Sequence, residues 1–241
     1  MKTAILAGGL GTRLSEYTRT IPKPMVKIGK YPILIHIINL YLKNGLKNFY
    51  ILSGYKSYVI KKYFKNFKKI NIPFEFKMKN KICAITIIES GKFTMTGGRL
   101  KKMMNILKDN EQFMFTYGDG ISNVNIKKLL KFHHKNKKMI TVTTVRPPAR
   151  FGEVKIKKNK VISFKEKPQA SSSWINGGFF VANSKFLKSI KGEKSILEKE
   201  PLENAAKKNQ LLAYKHKGFW KCMDTLRDKL VLEKLHKKKV F

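Results

Sequence analysis

The sequence has few cysteines and no long apolar run. Its 241 residues include two cysteines, Cys83 and Cys222, without the spacing of a metal-ligand motif. No stretch of about 18 apolar residues occurs, so no transmembrane helix is predicted. The first residues have the pattern of a strand and not of a signal peptide. These absences predict a cytoplasmic protein with reduced thiols and no membrane partner.

Acidic residues and arginines are also scarce. Fifteen acidic residues stand against 52 lysines and arginines, which gives a net charge of +37, and six of these cations are arginines. A nucleic-acid-binding protein usually concentrates such charge in a patch or tail, often rich in arginine, whereas lysine recurs here in nearly every segment. We favour a lysine-rich solvated surface that attracts anionic substrates. The alternative, a nucleic-acid-binding groove, predicts binding that weakens steeply with salt.

No internal repeat or linker-like stretch divides the chain. We therefore predict one domain spanning residues 1–241, with a hydrophobic content of 42% that suits a globular core. Strand and helix patterns alternate, which favours an α/β fold with a mostly parallel sheet. The predicted strands are 3–7, 48–53, 74–78, 84–89, 113–117, 139–145, 161–165, 174–181 and 210–216; the predicted helices are 32–44, 56–67, 96–108, 125–137, one between 195 and 210, and one from 225.

A glycine-rich segment follows the first predicted strand. Gly8, Gly9 and Gly11 fall within four residues, and Thr12 and Arg13 come directly after them. Glycines let consecutive backbone N–H groups approach an anion, and Thr12 and Arg13 add a hydroxyl and a fixed positive charge. The segment lacks the ending of a Walker loop and the full dinucleotide fingerprint. It predicts a phosphate-binding loop, and the alternative is an ordinary tight turn.

Lys23 is a candidate cation for the same ligand. Pro22 and Pro24 restrict their neighbours, so residues 21–25 are expected to be extended rather than helical. This would hold Lys23 on a stiff loop. The alternative is an ordinary surface lysine.

Arg99 is a second candidate cation. We expect Thr96 to cap the helix 96–108, with Gly97 and Gly98 allowing a ligand close to the helix N-terminus. Arg99 would then reach a phosphate or a base edge. The alternative is a glycine-rich helix entry with a surface arginine.

Two aspartates are candidate metal ligands. Asp119 lies between glycines at the end of an apolar run typical of a central parallel strand, and ligands bind at the carboxyl ends of such strands. Asp224 lies just before Thr225 and Asp228, which have the spacing of a capping box, so its own carboxylate is free for another role. Two carboxylates together with substrate phosphates are typical of Mg²⁺ sites. The alternative is that each aspartate is a turn or cap residue.

Polar residues at two further strand ends predict a second pocket. Lys167 would bring a cation to an anionic ligand, and Glu166 and Asn176 would bond hydroxyl groups. Ser195 and Glu198 have the spacing of another capping box, which would open a helix ending before Gln210.

Taken together, these segments resemble the sugar-1-phosphate nucleotidylyltransferases over nearly the whole chain. The glycine segment 6–14 and the Pro-Lys-Pro-Met segment 22–25 carry the resemblance to the family. Within it, the chain is similar to the cytidylyltransferases that act on glucose 1-phosphate, in segments 95–100, 115–120, 175–181 and 218–228. The resemblance implies the fold of nucleotide-diphospho-sugar transferases, a Rossmann-like mixed, mostly parallel sheet flanked by helices.

The resemblance also implies a reaction and its residues. CTP and glucose 1-phosphate would give CDP-glucose, a precursor for deoxysugar and O-antigen synthesis, in a hexamer or other homo-oligomer. It implies Mg²⁺ on Asp119 and Asp224 and a sugar-phosphate site at Gly152, Glu166, Lys167 and Asn176. Arg13 and Lys23 would be catalytic, and the nucleotide would contact Leu6, Ala7, Gly8, Gly9, Leu10, Gly11, Thr12, Arg13, Lys23, Thr94, Arg99 and Gly118.

The reaction needs no general base, because a sugar phosphate is already a nucleophile at neutral pH. The protein would supply positioning and charge neutralisation. The base is the least constrained part, since backbone atoms near Gly8 and Arg99 would select it, and UTP or dTTP is the alternative to CTP. Two other hypotheses are a nucleic-acid-binding protein, which leaves both aspartates unexplained, and a non-catalytic sensor, which is disfavoured because Lys23 and both aspartates are present.

Overall fold

An eight-stranded sheet organises the chain. The computed structural model describes residues 1–65, 71–78, 80–147, 153–165 and 173–241. Its strands are β1 (Lys2–Ala7), β2 (Lys27–Ile28), β3 (Tyr31–Pro32), β4 (Asn48–Ser53), β5 (Phe74–Met78), β6 (Lys81–Glu89), β7 (Gln112–Tyr117), β8 (Gly120–Ser122), β9 (Ile140–Val145), β10 (Glu153–Lys157), β11 (Lys160–Lys165), β12 (Ile175–Asn183), β13 (Leu211–Lys215) and β14 (Trp220–Cys222). Its α-helices are α1 (Ser15–Thr18), α2 (Ile33–Lys43), α3 (Ser57–Tyr63), α4 (Thr96–Lys101), α5 (Ile126–Asn136), α6 (Glu200–Lys207) and α7 (Leu226–Lys237).

The sheet is mixed and mostly parallel, as predicted. Its strand order is β13-β9-β12-β7-β1-β4-β6-β5. Strands β7, β1, β4 and β6 run parallel to one another, whereas β12 and β5 pair antiparallel with their neighbours. The carboxyl ends of the four parallel strands therefore lie along one edge, where ligands bind in α/β sheets.

Side-chain alternation places a core on each face of the sheet. In β1, Ile5 and Ala7 belong to one buried cluster, and Ala4 and Leu6 belong to the other. The first cluster also contains buried residues of α2, α3, α5 and α7, and the second contains buried residues of α4 and α6. Because β1 is covered on both faces, its residues form a continuous apolar run in the sequence.

Within the described ranges, three two-stranded pairs lie outside the main sheet, namely β2 with β3, β8 with β14, and β10 with β11. The antiparallel pair of β8 and β14 aligns Gly120 with Cys222, and the N–H of Met223 donates to the carbonyl of Asp119. These bonds bring two distant parts of the sequence to one place.

Several local predictions are wrong in detail. Lys23–Met25 form a 3-10 turn and not an extended segment, because Pro24 at the start of a helical turn removes an N–H that needs no partner there. The helix predicted for 96–108 ends as an α-helix at Lys101 and continues as a 3-10 turn to Asn105. The helix predicted for 56–67 is described as Ser57–Tyr63.

No helix among the described residues is long and apolar enough to cross a membrane.

The two predicted capping boxes have opposite outcomes. Thr225 and Asp228 form a complete capping box at the start of α7. Ser195 and Glu198 do not, because α6 begins at Glu200 with Lys199 as its N-cap. Thr96 is also not a cap: Met95 holds that position, and the N-terminus of α4 has no side-chain cap.

Candidate active site

The glycine segment joins β1 to the 3-10 turn Thr12–Leu14. The carbonyl of Gly8 accepts from the N–H of Tyr55 at 3.0 Å, and the carbonyl of Leu6 accepts from the N–H of Gly118 at 3.0 Å. Gly11 has a φ of 67°, and a Cβ there would meet the Thr18 side chain at 2.8 Å. Glycine is thus required at position 11 by both backbone conformation and space.

One cleft gathers every residue predicted to contact the nucleotide. Its volume is about 430 Å³, and its lining includes the whole predicted set, Leu6, Ala7, Gly8, Gly9, Leu10, Gly11, Thr12, Arg13, Lys23, Thr94, Arg99 and Gly118. The sequence analysis missed Phe93, which also lines the cleft and is 75% exposed. No local sequence pattern indicated that this aromatic side chain lines the cleft. Nucleotide binding by this set stays a prediction.

Arg99 is buried and bonded to the protein. Its Nη1 donates to the carbonyl of Ser53 at 3.0 Å and to the hydroxyl of Ser90, and its Nη2 donates to the carbonyl of Thr94 at 2.5 Å. Burial lowers the pKa of this guanidinium to about 10. Arg99 therefore ties the carboxyl end of β4 to the segment that follows β6. The alternative interpretation of Arg99 as a surface arginine is therefore wrong, because the residue is 3% exposed.

Gly97 and Gly98 have a packing role. A Cβ at Gly98 would lie 2.4 Å from the Cα of Glu193, and one at Gly97 would lie 2.8 Å from the carbonyl of Ser195. Both glycines are buried. The absence of side chains at Gly97 and Gly98 allows the backbone of residues 193–195 to pack against them. This packing is sufficient to explain why both residues are glycine, whether or not a ligand also lies next to them.

Four charged side chains meet where the cleft opens. Lys23 Nζ lies 2.8 Å from Asp119 Oδ2 and 2.6 Å from Asp224 Oδ1, and Arg13 Nη1 lies 3.0 Å from Asp224 Oδ2. Lys23 is 8% exposed, whereas the Arg13 side chain is 68% exposed. The structure thus joins Arg13, Lys23, Asp119 and Asp224 in a single charged cluster, which we call the Lys23 cluster.

The electrostatics favour the charged forms of Lys23 and Asp224. Burial alone would lower the pKa of Lys23, but the charges and hydrogen bonds of Asp119 and Asp224 raise it above its ordinary value. Burial alone would raise the pKa of Asp224, but Lys23 and Arg13 hold it below its ordinary value. The ammonium and this carboxylate stabilise each other's charged form.

Asp228 holds Asp224 in place. Its Oδ2 accepts from the N–H groups of Asp224 and Thr225 at 3.1 and 3.0 Å, and its Oδ1 accepts from Lys221. Burial alone would raise the pKa of Asp228, but Lys221 and Thr225 hold it below its ordinary value. The capping box thus fixes the backbone of Asp224 as well as the start of α7.

We predict that Asp228→Ala lowers the free energy of unfolding by about 2 kcal/mol, since it removes a helix cap and a half-buried ion pair. Thermal melts measure the effect. The matched control is Asp109→Ala, because the side chain of Asp109 is 91% exposed and meets Lys188 at 4.0 Å. Equal melting temperatures for the two variants would show that the cap and the ion pair of Asp228 do not stabilise the fold.

The two aspartates fit a Mg²⁺ site. Both carboxylates bond the same Nζ of Lys23, so their oxygens converge on one cation position. Mg²⁺ prefers such oxygen ligands and keeps water or phosphate oxygens in its other positions. No group of three or more His, Cys, Asp or Glu side chains suited to a metal occurs within the described ranges, so the phosphates of a nucleotide would supply further ligands. The magnesium role of Asp119 and Asp224 stays a prediction.

A second cavity of about 740 Å³ adjoins the cleft. Arg13 and Asp119 line both spaces, and Asn176 lines the second one, as expected for a neighbouring pocket. Three other residues predicted for the sugar phosphate, Gly152, Glu166 and Lys167, lie outside the described residues. Sequence analysis missed Trp220 and assigned Glu198 to a cap, yet both line this cavity.

Comparisons with known proteins agree with this architecture. The family model described as nucleotidyl transferase matches residues 2–228. The glucose-1-phosphate cytidylyltransferase of Salmonella typhimurium is 46% identical over 99% of this chain and 96% of its own length. The mannose-1-phosphate guanyltransferase of Hypocrea jecorina is 32% identical over 91% of this chain and 60% of its own length.

A solved structure shares the fold at low identity. The inositol-1-phosphate CTP transferase from T. maritima has a TM-score of 0.70 and 16% identity, covering 99% of this chain and 96% of that one. This likeness confirms the predicted fold class. The family model and the relatives confirm the resemblance found in the sequence. The chain belongs to the nucleotidyl transferase family, together with the glucose-1-phosphate cytidylyltransferases to which it is similar over nearly its whole length.

Proposed function

We propose that this chain transfers the cytidylyl group of CTP to α-D-glucose 1-phosphate and releases pyrophosphate. An oxygen of the sugar phosphate forms a bond to the α-phosphorus of CTP, and the bond from that phosphorus to the pyrophosphate breaks. The products are CDP-glucose and pyrophosphate. The similarity over 99% of the chain to a glucose-1-phosphate cytidylyltransferase supports both substrates. The observation that carries the mechanism is that the two cavities meet at Arg13 and Asp119.

The chain's own residues would position two polyanions that repel each other. The glycine segment would offer backbone N–H groups to the phosphates of the nucleotide. Lys23 lines the nucleotide cleft and would neutralise the α-phosphate. Arg13 lines both cavities and is largely exposed, so it would contact the leaving pyrophosphate. Such preorganised cations stabilise charge that shifts during the transfer.

Asp119 and Asp224 would hold Mg²⁺. When bound, the ion would supply charge neutralisation for phosphate oxygens. The family resemblance further supports a cytoplasmic homo-oligomer in which residues 1–241 act as one domain. The continuous eight-stranded sheet, with strands drawn from residues 2–215, is consistent with one domain.

The base and the reaction can be tested in one assay. We expect pyrophosphate release with Mg²⁺ and glucose 1-phosphate to be fast with CTP and slow with UTP, dTTP, ATP and GTP. A preference for UTP or dTTP would keep the mechanism and overturn the choice of base. If no nucleotide supports release with glucose 1-phosphate or with a panel of other sugar 1-phosphates, the proposed activity is wrong.

A further inference from the structure

Glu198 lies in the wall of the second cavity, held there by two hydroxyl groups. Its Oε1 accepts from the hydroxyl of Tyr117 at 2.5 Å, and its Oε2 accepts from the hydroxyl of Thr96 at 2.7 Å. The Thr96 hydroxyl itself accepts from the N–H of Leu197 at 2.9 Å. The carboxylate is therefore fixed by side chains from β7 and α4, which explains why it caps no helix.

The donors of Glu198 distinguish it from other acidic residues of this chain. Glu111, Glu89, Glu193 and Glu233 each pair with a lysine. Among the residues that the structure describes, no ion pair involves Glu198, although the chain carries a net charge of +37. A carboxylate has about four acceptor sites, and two are used here. The residue is exposed, so the remaining sites are open to a ligand in the cavity.

Tyr117 links Glu198 to Asn176. The Tyr117 hydroxyl accepts from Asn176 Nδ2 at 3.1 Å, and Asn176 Oδ1 accepts from the N–H of Gly178 at 2.8 Å. The Tyr117 ring meets Phe180 edge to face at 5.8 Å. The orientation of the phenol is thereby fixed.

The lining of the cavity contains two kinds of charged group. Arg13 and Lys221 line it and would provide cations for a phosphate. Glu198 offers acceptor sites that match the hydroxyl groups of a sugar. A site built to bond a hydroxyl discriminates strongly against an analogue that lacks it.

We infer that Glu198 determines the sugar specificity of this site by accepting hydrogen bonds from hydroxyls of the hexosyl ring, with Tyr117 as its positioning residue. The inference rests on the proposed function, because it assumes a sugar 1-phosphate in the second cavity. Glu198 touches the substrate in this arrangement, whereas Tyr117 acts through Glu198.

The test compares Glu198→Gln, Tyr117→Phe and the wild type on glucose 1-phosphate and its 2-, 3-, 4- and 6-deoxy analogues. Pyrophosphate release at saturating CTP gives kcat/KM. A hydrogen bond to a charged group predicts that the wild type loses about 10- to 100-fold on at least one analogue. For Glu198→Gln, kcat/KM for glucose 1-phosphate should fall by a similar factor. Its kcat/KM for that analogue should stay close to the wild-type value for the same analogue. Tyr117→Phe should reduce the same discrimination, measured as the ratio of kcat/KM for glucose 1-phosphate to kcat/KM for that analogue.

Glu203→Gln is the matched control, because Glu203 is exposed on α6 and lines neither cavity. We expect it to keep the wild-type discrimination. Full activity of Glu198→Gln, or an equal loss on all five substrates, would overturn the inference and leave the proposed function intact. A wild type that releases no pyrophosphate from any sugar 1-phosphate would overturn both.

Discussion

Lys23→Met should lower kcat by about 100- to 1,000-fold, the range expected when a preorganised charged donor is removed from a site of charge transfer. KM for glucose 1-phosphate should change much less, because Lys23 lines the first cleft and not the second cavity. Steady-state pyrophosphate release with each substrate varied in turn measures the two effects. An equal loss of kcat and of glucose 1-phosphate affinity would assign Lys23 a simple binding role.

The same substitution has a consequence in the protein without nucleotide. Loss of the ammonium leaves Asp119 and Asp224 without their shared partner, and removing one member of a buried ion pair is strongly destabilising. We expect the free energy of unfolding to fall by about 2–3 kcal/mol, because Asp119 is 28% exposed and water offsets part of the penalty. Thermal melts at low salt report this loss.

Mg²⁺ alone then provides a second readout. If the two carboxylates form a metal site, millimolar Mg²⁺ should raise the melting temperature of Lys23→Met more than that of the wild type, since binding to the folded state stabilises it. Lys27→Met is the matched control, because Lys27 is exposed on β2 and lies outside the Lys23 cluster. A Mg²⁺ response that is the same in all three proteins would contradict a metal role for this pair.

The sequence predicted the parts of this site that are encoded locally. The first apolar run, the glycines after it and the strand 113–117 each have a short-range signal. The structure pairs the two strands with each other and brings their carboxyl ends and the glycines together in one cleft. Asp119 was placed correctly at a strand end for the same reason. Asp224 was also predicted as its partner, but the pairing of β8 with β14 that brings the two aspartates together is a long-range contact that no local pattern encodes.

The errors arise where tertiary contacts compete with local patterns. Ser195 and Glu198 have the spacing of a capping box, but hydroxyls of Thr96 and Tyr117 bind the carboxylate instead. The surface position that was the alternative for Arg99 is wrong, because its guanidinium is bonded to oxygens at the end of β4 and in the segment after β6. Its contact with a ligand stays a prediction. Burial of that guanidinium depends on contacts over as many as 46 residues of sequence, so periodicity could not reveal it.

Gly8→Ala is the second substitution with a large expected effect. A Cβ at this position would lie 1.8 Å from Arg99 Nη1 and 2.7 Å from the backbone nitrogen of Gly54. Arg99 is 3% exposed and bonded to Ser53, Ser90 and Thr94, so it cannot yield without breaking buried hydrogen bonds. Overpacking of this kind costs about 1–3 kcal/mol or more, and the displaced loop lines the cleft proposed to bind the nucleotide. We expect a lower melting temperature and at least tenfold weaker CTP binding by calorimetry.

Gly9→Ala separates packing from ligand contact. A Cβ at Gly9 would meet nothing within 4 Å, so the variant should melt at or slightly above the wild-type temperature, because alanine restricts the unfolded chain. Both glycines line the same cleft, and a methyl group at either one can obstruct a nucleotide. A loss of stability confined to Gly8→Ala therefore identifies the contact between Gly8 and Arg99 as the cause. Two variants with equal melting temperatures would show instead that Arg99 moves aside at little cost, and its structural role in the cleft would have to be abandoned.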